Sequence, residues 1–298
     1  MQKTNGTGGA AAALAANIIF GFSFIFSSAA LKTAHPVTVL AARFTVSFLF
    51  MSLLLLLKLA RVNYKGKPLG GLLLMCTAQP LLYFLFELYG LKLTSSAISG
   101  IITALVPVVV TLLSAPVLGE KPNRIQILCC ILSLLSVTGV SLLGKSEGKS
   151  YPLGILLLFC AVISAAAFNL LSRGQAKIFS PFERTYFMFA AAAAGFNIIG
   201  FAVLKGGYTA ALLSAFSSLS FTVSVIYLGI ISSCAAFLLY NYATSRISAT
   251  RAAAFSNILT VISVLSGILI LKEPFSVWQL LLCIPILIGV FGVNVYEK

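Results

Sequence analysis

Glu87 stands in the run LLYFLFELYGLK, a carboxylate among residues that would otherwise suit lipid. An ionised side chain in such a place needs a partner, a watery cavity or a task. Gln79, Tyr83 and Glu87 recur every four residues and so share one helix face, while Pro80 removes a backbone hydrogen bond beside them and allows a bend. Lys92 is five residues on, too far round an ideal helix to pair with Glu87. Arg43, in LAARFTVSFL, enters its own apolar run from the same side to a similar depth. An ion pair between the two would lower the cost of both, and it could also gate a pathway or anchor an anionic solute. Two readings stay open for Glu87: a carboxylate that couples or gates, or one that snorkels to the interface.

Other polar side chains keep helical register inside apolar runs. Asn17 and Phe20 fall in the first run, Thr103 in the fourth, and Asn169 in the sixth. Phe237, Tyr240 and Asn241 fall in the eighth, and Ser256 and Asn257 in the ninth. Small and amide side chains serve helix packing, but aromatics mixed with a few amides also suit a pocket for a small amphipathic solute. Those nine residues with Gln79 and Tyr83 are the candidate substrate-binding set, and Glu87 and Arg43 the candidate coupling or gating pair. His35, the only histidine, sits in a loop before Pro36 and reads as interfacial. No metal cluster, cofactor motif or catalytic triad can be assembled, because all six acids are Glu.

The elements that must position these residues follow from composition. The chain has 60% hydrophobic and 9% charged residues and a mean hydropathy of +1.07. A soluble chain carries about 25% charged residues, so this one lacks the polar surface to cover a soluble core. The net charge of +14 does not signal nucleic acid, since the basic residues lie singly between apolar runs with no basic face. The six cysteines all fall inside apolar runs without CxxC spacing and read as small hydrophobes. The Ala-rich N-terminus reads as a short tail entering the first helix, not a cleaved signal, because the alanines precede the bulkiest apolar part.

A spanning helix needs about 20 mostly apolar residues, and ten segments supply them: 11–31, 36–58, 69–92, 95–118, 124–144, 152–172, 182–204, 221–243, 248–271 and 276–296. The linker KGGYTAALLSAFSSLS has room for a surface helix. Lys and Arg at the gaps number thirteen on the side of the N-terminus and six on the other, which puts both termini in the cytoplasm. Shifting the chain by 153 lays LGEKPNRIQILC over LKEPFSVWQLLL, Glu120 over Glu273 and Tyr89 over Tyr242. That order suggests an internal duplication. Five helices per copy force the second copy into the membrane in the opposite sense, an arrangement of transporters with a site near the midplane. The expected fold is an all-α membrane protein with ten transmembrane helices in two inverted-topology five-helix repeats, 1–148 and 149–298.

The run YGLKLTSSAISGIITALVPVVVTLLSAPVLGEKPNRIQ, its later copy LLYNYATSRISATRAAAFSNILTVISVLSGILILKEPFSVWQLL and the opening IIFGFSFIFSSAALK resemble EamA-type members of the drug/metabolite transporter superfamily. The resemblance covers essentially the whole chain. It implies secondary active transport of small metabolites by alternating access, often outward, with amino acids and nucleosides among known substrates. Phe20-Gly21 stands where the family has Trp-Gly, and Leu259-Thr260 where a proline is usual. The expected function is export of a small amphipathic metabolite such as an amino acid across the cell (inner) membrane, driven by the substrate gradient or by proton exchange, with Glu87 the one residue placed to carry the proton. Membrane lipids and the solute are the expected partners, and a monomer or a homodimer both fit. The alternatives are a non-transporting scaffold or lipid flippase-like subunit, or an intramembrane lipid-modifying enzyme, which would need clustered acids or histidines.

Overall fold

Each apolar segment is helical, as the lack of water in a bilayer demands of any chain that must satisfy its own backbone. The structure, a computed structural model, describes residues 6–118, 123–143, 151–272 and 276–295. In the first half α1 (Gly6–Leu31), α2 (Pro36–Leu56), α3 (Gly70–Cys76), α4 (Tyr83–Leu93), α5 (Ser96–Thr103), α6 (Val106–Leu118) and α7 (Arg124–Leu143) follow one another. The second half has α8 (Tyr151–Gln175), α9 (Pro181–Leu204), α10 (Tyr208–Phe216), α11 (Leu219–Ile226), α12 (Ala236–Arg246), α13 (Ala249–Ala254), α14 (Ser256–Leu269) and α15 (Val277–Val295). No strand occurs among the described residues. The short α10 falls in the linker expected to hold a surface helix.

Seven described stretches are long and apolar enough to cross a membrane, and Ile98–Ser114 and Arg124–Ser136 are shorter apolar helices. The fourth expected segment is interrupted by a turn at Ala104-Leu105, and the fifth and tenth border residues outside those described. Outward faces remain apolar, with Leu56, Leu213 and Trp278 more than two-thirds exposed. Such a surface fits lipid, not water.

Internal repetition is visible in the element boundaries. A π-helical stretch at Thr77–Leu82 joins α3 to α4, and another at Tyr227–Ala235 joins α11 to α12. Both end immediately before helices offset by 153 positions, Tyr83–Leu93 and Ala236–Arg246. The next helices start on capping serines at the same offset: Ser95 Oγ accepts from Ile98 N, and Ser248 Oγ from Arg251 N. Glu120 and Glu273, which first suggested the offset, lie outside the described residues, as does the side chain of Gln279. The main helix contacts cross between the halves: α2 runs along α9, α4 along α8, α1 against α12 and α14, α5 along α14, and α7 along α15. The core between them mixes small alanines (Ala13, Ala16, Ala166, Ala253) with buried rings (Phe24, Phe44, Phe168, Phe237), which lets the helices approach closely.

At one end of the bundle the α2–α3 connection is fastened to α9. Pro181 occupies the first turn of α9, and Ser180 and Glu183 form a reciprocal cap. The Glu183 carboxylate also accepts from Lys67 Nζ at 2.9 Å and from Asn63 N at 2.8 Å, and the Tyr64 hydroxyl donates to Glu183 O at 2.8 Å. Burial and the nearby Glu183 push the Tyr64 hydroxyl above its ordinary range, so it stays a donor. Glu183→Ala is expected to cost about 2–3 kcal/mol, because the cap and two further donors lose their acceptor. Lys67→Ala should cost less than about 1 kcal/mol, since that side chain is partly solvated. Thermal unfolding in detergent checks the pair; equal losses would show that the ion pair, not the cap, carries the contact. In the loop before α2, burial and Lys92 lower the pKa of His35, which suits an interfacial residue that stays neutral.

Candidate functional site

Two small adjoining cavities lie where the halves meet. The first, about 60 Å³, is lined by Asn17 and Phe20 of α1, Gln79 and Tyr83 around the first π stretch, and Thr103 of α5. From the second half come Phe168 and Asn169 of α8, Phe237 and Tyr240 of α12, and Ser256 of α14. The second cavity, about 50 Å³, shares Phe20, Gln79, Tyr83 and Phe237 and adds Ser23, Arg43, Phe84 and Glu87. A water needs about 10–15 Å³, so each cavity has room for a few waters. An organic solute would need the walls to part.

Local chain geometry explains how these side chains converge. Gln79 leaves helical geometry (φ −149°, ψ 125°) just before Pro80, and this break turns its side chain onto the same cavities as Tyr83. Asn17 and Asn169 face the first cavity from opposite halves and are held alike: Asn17 Nδ2 donates to Ala13 O, and Asn169 Nδ2 to Ala165 O, each at 2.8 Å. Tyr240 donates its hydroxyl to Asn169 Oδ1. The rings pack on one another, with Phe20 and Phe237 centroids 5.0 Å apart edge to face and Phe84 at 6.2 Å from Phe237. Ser256 Oγ is buried with no hydrogen-bond partner, and Thr103 Oγ1 donates to Ser99 O.

The charged pair differs from expectation. Arg43 and Glu87 line the same cavity but do not form a direct ion pair. Arg43 instead donates from Nε to Ser233 Oγ at 3.0 Å and from Nη2 to Ser232 Oγ at 3.2 Å, and its guanidinium sits 4.3 Å from the Phe84 ring centroid. The hydroxyls of the second π stretch reach it first because the wider turn swings Ser232 and Ser233 toward α2. Glu87 is 4% exposed, and its Oε2 has no hydrogen-bond partner. A buried carboxylate oxygen left open beside a water-sized cavity is a waiting acceptor.

A family model described as the EamA-like transporter family matches residues 7–142 and again 152–295. The chain belongs to the EamA-like transporter family. It is 32% identical to a Bacillus subtilis (strain 168) protein named "Uncharacterized transporter YcxC", over 99% of this chain and 95% of that one. An "Uncharacterized transporter" of Archaeoglobus fulgidus is 23% identical over 88% of this chain and 90% of its own. A solved crystal structure with 17% sequence identity shares the fold, with a TM-score of 0.73 over 98% of both chains. The protein is therefore a multi-pass membrane transporter, and family and relatives alike point away from an enzyme.

In this transporter Asn241 is turned away from the cavities. It is fully buried, its Nδ2 donates to Thr185 Oγ1 at 2.9 Å, and its Oδ1 accepts from Ser172 Oγ at 2.9 Å. It belongs to a polar node around Arg184 of α9. The Arg184 guanidinium donates to Ser172 O and Oγ, each at 2.7 Å, to Thr244 Oγ1 at 3.1 Å, to Ser245 Oγ at 2.7 Å and to Asn241 O. The side chain of Asn257 lies outside the described residues. Phe84, Phe168 and Ser23 line the cavities without having been singled out from sequence, although Phe168 directly precedes Asn169. No group of three or more His, Cys, Asp or Glu side chains fit for a metal occurs among the described residues.

Proposed function

We propose that this protein is a secondary active transporter that exports a small amphipathic metabolite, an amino acid or similar, by alternating access about the two central cavities. The observation that carries this reading is the meeting of aromatic rings, three amides and one open carboxylate at the seam between repeated halves. Ten crossings in two inverted five-helix halves, 1–148 and 149–298, with both termini in the cytoplasm, complete it. The 153-residue recurrence of helix boundaries and the excess of Lys and Arg on one side support that arrangement. The outward direction rests on the family resemblance. Rings such as Phe20 and Phe237 would hold the apolar part of the solute, and Asn17, Asn169 and Gln79 its polar groups. Arg43 and Glu87 would respond to its charge. The small cavity volumes suit a closed state in which neither side has access.

Glu87 would carry the coupling proton, since its open Oε2 is an acceptor with nothing to accept from. In proteoliposomes, the wild type should move its solute faster when a pH gradient is imposed. Glu87→Gln, which keeps the shape and loses the titration, should move it at a rate indifferent to that gradient. An unchanged response to pH would remove Glu87 from the coupling. A thermal-shift screen of amino acids against the purified protein identifies the solute, because a ligand that binds only the folded state raises its melting point.

A further inference from the structure

A much larger cavity, about 580 Å³, lies apart from the central pair and shares no lining residue with either. It opens where the α8–α9 connection meets the end of α12. Its walls are residues 176–181 with Tyr242, Ser245 and Arg246. Lys177 and Arg246 are both exposed on it, and the Arg246 guanidinium lies 5.3 Å from the Tyr242 ring centroid. A third cation stands directly behind the wall. Arg184 is completely buried, donates to the lining Ser245 Oγ at 2.7 Å, and has an Nε with no partner.

No described carboxylate balances this charge. Among the described residues no carboxylate is within ion-pair distance of Lys177, Arg184 or Arg246. The nearest acid in sequence, Glu183, is already committed to Lys67, Asn63 N and Ser180 N. In the first turn of α9 the reciprocal cap takes up Ser180 N and Glu183 N, and Pro181 has no N–H, so the side-chain cations are the main donors facing the cavity. What the cavity offers is two exposed cations on its surface, a buried one beneath, and apolar flanks in Ile178 and Tyr242, each about two-fifths exposed.

We propose that this cavity binds the phosphate headgroup of an anionic membrane lipid, with Lys177 and Arg246 on the phosphate and the acyl chains leaving past Ile178 and Tyr242. The lipid source is favoured over a free anion because the cavity sits at the ends of the membrane-crossing helices α8, α9 and α12. Basic clusters at that level draw anionic headgroups by about 1 kcal/mol per cation. The proposal needs only the membrane placement of the chain and does not depend on which solute is carried.

The test uses the full chain purified in a neutral detergent, titrated with phosphatidylglycerol, phosphatidylcholine or inorganic phosphate. Thermal unfolding and native mass spectrometry of bound lipid are the readouts. Phosphatidylglycerol should raise the melting point and remain bound in the spectrometer, while phosphatidylcholine and inorganic phosphate should do neither. The variant Lys177→Gln/Arg246→Gln alters two exposed side chains, so its lipid-free melting point should match the wild type. Its affinity for phosphatidylglycerol should fall about tenfold or more. An equal response of wild type and variant overturns the site. Stabilisation of the wild type by inorganic phosphate alone overturns the lipid and leaves a free-anion site.

Discussion

Arg184→Met is expected to lower the stability of the protein by about 3 kcal/mol, and Arg184→Lys by at least as much. The guanidinium makes five hydrogen bonds to Ser172, Asn241, Thr244 and Ser245, and so ties α9 to α8 and α12 with no solvent access. Opposing this is the cost of a buried charge with no carboxylate beside it, several kcal/mol. Hydrogen bonds to a charged group contribute about 1.5–3 kcal/mol each, so five of them outweigh that cost. Methionine removes both terms and leaves the deficit. Lysine keeps the buried charge, yet its single ammonium cannot span partners on two helices as a planar fork does. The serine and threonine hydroxyls retain donors' roles toward Asn241, which limits the collapse to this node. Melting points in detergent decide the matter: a lysine variant as stable as wild type would mean that charge alone, not fork geometry, holds the three helices.

How legible this node was from sequence shows where sequence reasoning stops. Arg184 lies three residues past Pro181, where a positive charge reads as an interfacial topology signal, and spacing says nothing about its five acceptors 12 to 61 residues away. Asn241 follows Phe237 by four, and the shared register predicted a shared face. Phe237 does line the cavities, but Asn241 faces α9. Both lie in the regular helix α12, where at 3.6 residues per turn position i+4 falls about 40° round from i, enough to carry Asn241 past the cavity edge. Arg43 is taken from Glu87 by two serines of the π stretch itself. Depth along two helices could be counted from their ends, and it brought both residues to one cavity. The serines that bind Arg43 are about 190 positions away, and only packing of α2 on the second π stretch reveals them.

The first half's face of Gln79, Tyr83 and Glu87 was legible as a face even though the helix breaks at Gln79, since all three still border the second cavity. The repeat offset was legible because apolar spans and turn residues carry their order with them. It reappears in the capping serines Ser95 and Ser248, whose role is set by local backbone need. Lateral neighbours were not legible. Nothing in the sequence shows that α2 packs along α9 and α5 along α14.

The α5–α14 crossing is the place where one methyl group should matter most. Gly100→Ala would set a Cβ 1.7 Å from Ser263 Oγ and 2.8 Å from Ser263 Cβ. The hydroxyl could rotate away from its bond to Thr260 O, but the Cβ moves only with α14 itself. Pushing the helices apart would also stretch the 2.8 Å hydrogen bond that Thr260 Oγ1 donates to Gly100 O. Overpacking costs about 1–3 kcal/mol and the lost bond about 1 kcal/mol more, so a destabilisation of about 2–4 kcal/mol is expected. Transport should fall with it, because α5 carries Thr103 and α14 carries Ser256 onto the central cavity. Adding Ser263→Gly removes both clashing atoms and moves the methyl from one side of the crossing to the other. The double variant should recover most of the loss, with a coupling of at least about 1 kcal/mol in a double-mutant cycle. Additive losses would mean that the two helices can separate without cost, and that the close approach of Gly100 to Ser263 does not hold the halves together.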